Sequence, residues 1–201
     1  MVAAMNGMRI CGILWGAFLA VWIVWAIRTK ETREREGVWS RLSYTVLTIA
    51  AFFAMFAERV APGWLRILVF PRTLSIEILG VVITLAGIGF AVWARVFIGG
   101  NWSSSVTVKV GHQLIRTGPY RWVRHPIYSG ILLAMLGTAL ERRELRGLLA
   151  VVLLYAGFKI KSRIEERAMT RVFGAQYDEY RRTTGAIFPR MGASDPDDSR
   201  P

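Results

Sequence analysis

Ile10 to Ile27 is a run of 18 residues without a single charge. At about 1.5 Å per residue, an α-helix of that length crosses a hydrocarbon core of roughly 30 Å. The run is too long and too poorly flanked for a cleaved signal peptide. The feature recurs: Leu42 to Ala57 gives 16 uncharged residues, extendable through Glu58 and Arg59 to Val60 where those charges reach the interface, and Ile78 to Ala94 gives 17. These predict three spanning helices. Two further runs, Ile127 to Leu140 and Gly147 to Phe158, hold 14 and 12 residues and are separated by Glu-Arg-Arg-Glu-Leu-Arg. Each is short for a full crossing, so they predict a hairpin, spanning or re-entrant, whose two ends return to one side.

The fold class that follows is an all-α integral membrane protein with about five membrane helices, the last two a short hairpin. At 201 residues the chain fits one domain. Its 53% hydrophobic content with eight tryptophans exceeds what a soluble domain of this size carries. The net charge of +12 does not mark a nucleic-acid partner, because the basic residues lie between apolar runs rather than on one polar domain. Counted by loop, 19 Lys and Arg fall on one side and 7 on the other. The positive-inside rule then puts the N-terminus outside, and the 95–126 segment and the tail in the cytosol against anionic lipid. The expected location is multi-pass in a membrane, the cell inner membrane for a bacterial source. Cys11 is the only cysteine and excludes an internal disulfide or a cysteine-based metal cluster.

Ile160, Ile164, Ala168 and Val172 recur every four residues, while Arg163, Glu166, Arg167 and Arg171 occupy other faces. That pattern predicts an amphipathic helix on the membrane surface from Lys161 to Arg182, interrupted at Gly174. Residues 191–201 read as a disordered polar tail. The chain divides into a three-helix membrane region over 1–98, a region with the polar segment, hairpin and C-terminal helix over 99–190, and that tail.

Between Thr107 and Gly130 runs a polar, basic stretch that holds both histidines, His112 and His125, and gathers Tyr120, Arg121, Arg124 and Tyr128 at one depth against the bilayer. Other motifs carry less. Gly12-Ile-Leu-Trp-Gly16 has the spacing that lets membrane helices approach closely, and ordinary packing within the fold accounts for it. Gly99-Gly100-Asn101-Trp102 reads as a turn ending the third helix, since no strand precedes it and no phosphate-loop pattern follows. His112 and His125 with Glu165 or Glu166 lack the regular spacing and the third histidine that a metal site would use, so no metal is expected. Glu165 and Glu166 on a surface helix are by default solvated carboxylates, with Glu166 paired to Arg163 across one turn.

The company of those glutamates points further. Arg124-His-Pro-Ile-Tyr-Ser-Gly130 is followed some forty residues on by Arg163-Ile-Glu-Glu166, then Phe173-Gly174, Tyr177 and Tyr180. With Trp102-Ser103, His112-Gln-Leu and Gly118-Pro-Tyr before them, this stretch resembles the isoprenylcysteine carboxyl methyltransferase family and its relatives among the phospholipid methyltransferases. It covers about half of the chain, and the first 95 residues match only as membrane helices. The resemblance implies S-adenosylmethionine as methyl donor, leaving as S-adenosylhomocysteine, in a pocket roofed by the inter-helix segment and the C-terminal helix. Carried over by position, it places His112, Leu114, Gly118 and Tyr120 along the pocket. Arg124, His125, Pro126, Tyr128 and Gly130 form the other wall, and Glu165 or Glu166 meets the cofactor's polar end.

The residue chemistry fits. Aromatic faces such as Tyr120 and Tyr128 stabilise a sulfonium by roughly 0.5–2 kcal/mol, and carboxylates and irregular backbone accept from its amino group and ribose. Pro119 and Pro126 keep that backbone out of helix, and non-helical backbone at membrane depth needs a protein or cavity partner for its polar groups. An acceptor entering from lipid is itself lipophilic, either a small molecule or a lipid. A carboxylate acceptor is ionised already and needs an anchor, for which Arg163 is the candidate. An amine acceptor, as in lipid N-methylation, needs a base, and His125 or a glutamate is the candidate. A sterol-type membrane reductase and a non-catalytic membrane partner are the readings from other classes.

Overall fold

In the computed structural model, residues 2–26, 37–99 and 114–190 are described. Six helices follow in order: α1 Val2–Ala26, α2 Val38–Phe56, α3 Leu74–Ile98, α4 Pro126–Arg142, α5 Leu145–Phe173 and α6 Ala175–Thr183. Short 3-10 turns lie at Glu58–Val60, Gly63–Arg66 and Gly118–Arg121. Helices covering Gly7–Trp25, Val38–Phe56 and Leu74–Ile98 are long and apolar enough to cross a membrane. Their outer faces carry exposed Ile13, Leu19, Val46, Phe53, Ile78 and Leu85. Apolar faces on this scale need a nonpolar solvent, and a bilayer supplies it. The chain is an integral membrane protein.

The tightest contact joins α3 to α4. A Cβ added to Gly130 would stand 2.6 Å from the Ala91 nitrogen, and one added to Gly137 would stand 2.6 Å from the Gly80 carbonyl oxygen. The backbones therefore touch along a seam of small residues, the packing that lets membrane helices gain van der Waals contact without a hydrophobic drive. Thr84 and Thr138 cross the seam, 3.2 Å apart, and the Trp15 indole N–H donates to Thr138 at 2.9 Å, which ties in α1. Core side chains Met55, Met135 and Leu154 are fully buried among α2, α4 and α5.

Arg143 in the left-handed region (φ 61) ends α4, and Glu144 begins α5, so the hairpin turns within two residues. The strap after α2 docks on that turn through Val69 N–H to the Arg143 carbonyl (2.8 Å) and Leu145 N–H to the Ile67 carbonyl (2.9 Å).

Two expectations change. The hairpin's second arm and the surface helix are not separate elements, because α5 is one helix of 29 residues that runs through both, ending where Gly174 adopts φ +51. Nothing in the sequence from Phe158 to Lys161 breaks a helix, since a change from apolar to charged residues alters the solvent a helix faces and leaves its backbone bonds intact. Gly12 and Gly16 do not pack within the fold: a Cβ at either would meet nothing within 4 Å. Gly99, at φ +54, does end α3. Residues 100–102 and the tail from 191 lie outside the described residues.

Candidate functional site

The site begins where the chain returns to the bundle. Gly118 has φ +59, a region that favours glycine, and a Cβ there would stand 2.5 Å from the Phe97 ring. The turn after it buries Tyr120, whose hydroxyl donates to the Ala94 carbonyl at the end of α3 (3.4 Å) and whose own carbonyl accepts from the Tyr180 hydroxyl (2.5 Å). Residues 123–125 then lie alongside 185–187: Arg124 N–H donates to Gly185 O and His125 N–H to Ala186 O, both at 2.9 Å, and the Ser129 hydroxyl donates to Ile187 O. Pro126 opens α4, so His125 is held at the mouth of that helix.

There His125 faces α5 with both ring nitrogens. Nδ1 stands 3.2 Å from Glu165 Oε2 and Nε2 3.3 Å from Glu166 Oε1. Ionised carboxylates only accept, so the arrangement favours the form of the ring that carries both protons. Burial opposes that charge, and hydrogen bonds and charge from Glu165 and Glu166 outweigh burial and raise the His125 pKa. Burial likewise pushes both glutamates up, but His125 first and then Lys161 for Glu165, or Arg124 for Glu166, hold them below the usual range, Glu166 at about 2.

Around this core the Tyr128 hydroxyl donates to Glu165 Oε1 at 2.6 Å. The Tyr128 ring stacks on His125 at 5.3 Å and on Phe158 at 4.6 Å. Arg124 grips Glu166 Oε1 through Nε (2.9 Å) and a terminal nitrogen (2.8 Å), while its other terminal nitrogen donates to the carbonyls of Arg181 (3.3 Å) and Thr184. Arg181 Nε stands 3.8 Å from Glu166 Oε2. The Lys161 ammonium lies over the rings of Tyr44 (5.2 Å) and Tyr128 (5.5 Å).

Arg124, His125, Tyr128, Glu165 and Glu166 are thus brought together from α4, α5 and the segment between. Tyr120 and Gly118 form the adjoining turn, and Leu114 is half-buried where the described segment starts. Pro126 is fully buried in the first turn of α4. Gly130 lies in the α3–α4 seam, where helix contact accounts for it. Arg163 is exposed on α5 outside the cluster, and Glu166 pairs with Arg124, His125 and Arg181 rather than with Arg163. His112 lies outside the described residues. Sequence reasoning missed Tyr44, Lys161, Arg181 and Thr184. Tyr44 is a lone tyrosine in an apolar run, and Lys161 and Arg181 are two among nine basic residues of the tail, so no local signal separates them from a solvated face.

The phospholipid methyltransferase family model matches residues 76–176, half of the chain, from α3 through the whole cluster and into α6. The chain belongs to that family. Among relatives of this phospholipid methyltransferase family member, the cobalt-zinc-cadmium resistance protein CzcN of Cupriavidus metallidurans is 30% identical over 161 residues, covering 80% of this chain and 66% of that protein. The chain therefore spans about two thirds of that relative's length. The protein-S-isoprenylcysteine O-methyltransferase of Saccharomyces cerevisiae is 34% identical over 79 residues, 39% of this chain and 33% of the yeast enzyme. A solved structure of the eukaryotic intramembrane Ras methyltransferase, isoprenylcysteine carboxyl methyltransferase, is 27% identical with a TM-score of 0.47, covering 73% of this chain and 52% of that one.

Proposed function

We propose that this protein is a membrane methyltransferase that uses S-adenosylmethionine to convert the carboxylate of a lipophilic acceptor into its methyl ester, releasing S-adenosylhomocysteine. The observation that carries the choice of acceptor is the double engagement of His125. A ring engaged on both nitrogens, with its pKa raised, beside two carboxylates whose pKa values are lowered, offers an ammonium acceptor no free base. A carboxylate acceptor needs none, whereas an ammonium acceptor does.

The residues fit the cofactor. Glu165 and Glu166 are acceptors with lone-pair sites beyond those His125, Tyr128 and Arg124 use, suited to an ammonium and to ribose hydroxyls. Tyr128 offers an aromatic face to a cation, and its stacking between His125 and Phe158 holds that face still. Bound here, S-adenosylmethionine supplies an electrophilic methyl on sulfur. The chain's part is to align donor and acceptor, the effect that carries most of the rate when both reactants are held. Arg163, exposed on α5 one turn before Glu166, is the residue proposed to anchor the acceptor's carboxylate, with the acceptor reaching it from the bilayer and the cofactor arriving from the cytosolic side. The N-terminus is external in this arrangement.

Titrating the detergent-solubilised protein with S-adenosylmethionine and with NADPH tests the reading, since a ligand that binds the folded state raises its melting temperature. Stabilisation by S-adenosylmethionine alone is expected, and stabilisation by NADPH alone would overturn it in favour of a reductase. With a prenylated cysteine derivative as acceptor, Arg163→Lys is expected to lower turnover, because an ammonium lacks the planar fork that orients a carboxylate.

A further inference from the structure

Two cavities flank the paired segments 122–125 and 184–190. One, about 460 Å³, is walled by apolar side chains of α3, α4 and α5, including Phe90, Leu133 and Tyr155, and closed by Trp122 and Phe188. Its Ser129 hydroxyl is engaged by the Ile187 carbonyl. Leu133, Tyr155, Trp122 and Phe188 are each more than a third exposed, so this cavity opens sideways toward the bilayer. The other, about 540 Å³, is walled by Arg124, Arg181, Arg182 and Arg190, with Asp178 and Ala175. The boundary between them falls inside both segments. Val123 lines the apolar cavity and Arg124 the basic one, while Pro189 lines the apolar cavity and Arg190 the basic one. Neighbouring residues stand about 3.8 Å apart, so the two cavities flank the same short stretch of backbone, and an amphiphile longer than that stretch is wide can occupy both.

The arginines differ in what they already hold. Arg124 grips Glu166, and Arg181 is shared between Glu166 and Asp178 (3.6 Å). Arg190 donates to the Arg182 carbonyl at 2.5 Å, and among the described residues neither Arg182 nor Arg190 has a carboxylate partner. Two guanidinium groups with no carboxylate partner among the described residues, set beside an apolar cavity that faces lipid, match an amphiphile with an anionic head. Guanidinium pairs bind phosphate bidentately, basic pockets beside membrane helices on the cytosolic side take anionic headgroups, and both volumes fall within the range of ordinary ligand sites.

We infer that this double cavity binds one anionic glycerophospholipid of the surrounding membrane, with its phosphate at Arg182 and Arg190 and an acyl chain in the apolar cavity. The lipid is resident and is not methylated. It braces the 122–125 and 184–190 pairing that holds Arg124 and His125 in place.

The test uses the full chain in neutral detergent and no methyl donor, so its outcome is independent of the proposed reaction. Phosphatidylglycerol is expected to raise the melting temperature more than phosphatidylcholine of the same chains, with an apparent affinity about thirtyfold higher, the ratio that two surface arginines give. Inorganic phosphate is expected to give no shift. Arg182→Gln with Arg190→Gln should remove the difference between the two lipids. Native mass spectrometry of the unaltered protein should show one retained anionic phospholipid, which keeps the test open if the double variant folds poorly. Equal affinity for both lipids, a full shift from inorganic phosphate alone, or a double variant that still prefers phosphatidylglycerol would overturn the site. Methylation of phosphatidylglycerol once S-adenosylmethionine is added would make the lipid an acceptor and overturn its resident role.

Discussion

The α4–α5 hairpin carries buried charge at both ends, arranged in opposite ways. At the turn end, Arg142 meets Glu58 at 2.8 Å, while Arg146, 2% exposed, meets Glu144 at 2.5 Å and the Ala57 carbonyl at 3.3 Å. Each arginine has one carboxylate, each bond ties a loop to a helix, and the strap from 67 to 69 is stitched over them. At the open end, one histidine is shared by two adjacent glutamates, with the Tyr128 ring stacked on it and the 185–186 segment paired to its backbone and to that of Arg124. The turn end is a clasp in which each of these arginines has its own carboxylate, while Arg142 Nε and Glu141 Oε2 are left without a hydrogen bond among the described residues. The open end keeps carboxylates with acceptor capacity to spare, and that contrast is what the proposed function draws on.

The comparison breaks if the two ends respond alike to mutation. The largest effect is expected for His125→Ala, which removes the partner shared by Glu165 and Glu166 and should weaken S-adenosylmethionine binding of the folded fraction by about a hundredfold, with a fall in melting temperature from the lost ion pairs; isothermal titration beside a thermal scan reads both. Arg146→Ala should lower stability alone. Removing a buried guanidinium from its partners costs about 2–3 kcal/mol of stability, while the cofactor affinity of the folded fraction stays within about threefold, an additive result for distant sites.

The two ends also differ in pH response. The raised pKa of His125 gives stability that is complete below its ordinary value of 6.5 and is lost as pH rises through the raised value. Glu166 gives stability that is complete above 4.5 and is lost as pH falls toward about 2, and Glu58, lowered by its hydrogen bond to Arg142, behaves in the same sense. Alkali should therefore loosen the site and leave the clasp intact. Melting temperatures followed upward from pH 6.5 should fall in the unaltered protein and stay level in His125→Gln. The smallest effect belongs to Glu58→Gln, because its carboxylate side chain is 67% exposed; solvent screening limits the loss to less than about 1 kcal/mol, measurable by chemical denaturation.

How far these differences could be read from sequence follows from the range of the forces involved. Uncharged runs located α1, α2 and α3 because crossing a bilayer is a local demand on length and composition. The Arg-His-Pro turn and the paired glutamates pointed to residues that the fold brings together at the candidate site, since Pro126 fixes the local backbone and the resemblance joins stretches forty residues apart. Tyr44 and Lys161 stayed hidden because the contact of α2 with α5 that unites them is tertiary and leaves no periodic trace. Arg163 shows the converse: its place beside two glutamates in sequence suggested a partner, but helix geometry turns it outward. The unbroken α5 was concealed by a change of composition within a single backbone element.

Gly130, where α4 lies backbone to backbone against α3, stands five positions after His125. In an α-helix each residue advances the bearing by about 100°, so the contact at Gly130 acts as an angular datum that decides which way the imidazole points. A single residue inserted between them would swing His125 away from Glu165 without changing any side chain of the cluster. The same datum is indifferent to vertical position. A bilayer of different thickness that moves α3, α4 and α5 together leaves the bearing of His125 unchanged, so the datum fixes rotation and not depth.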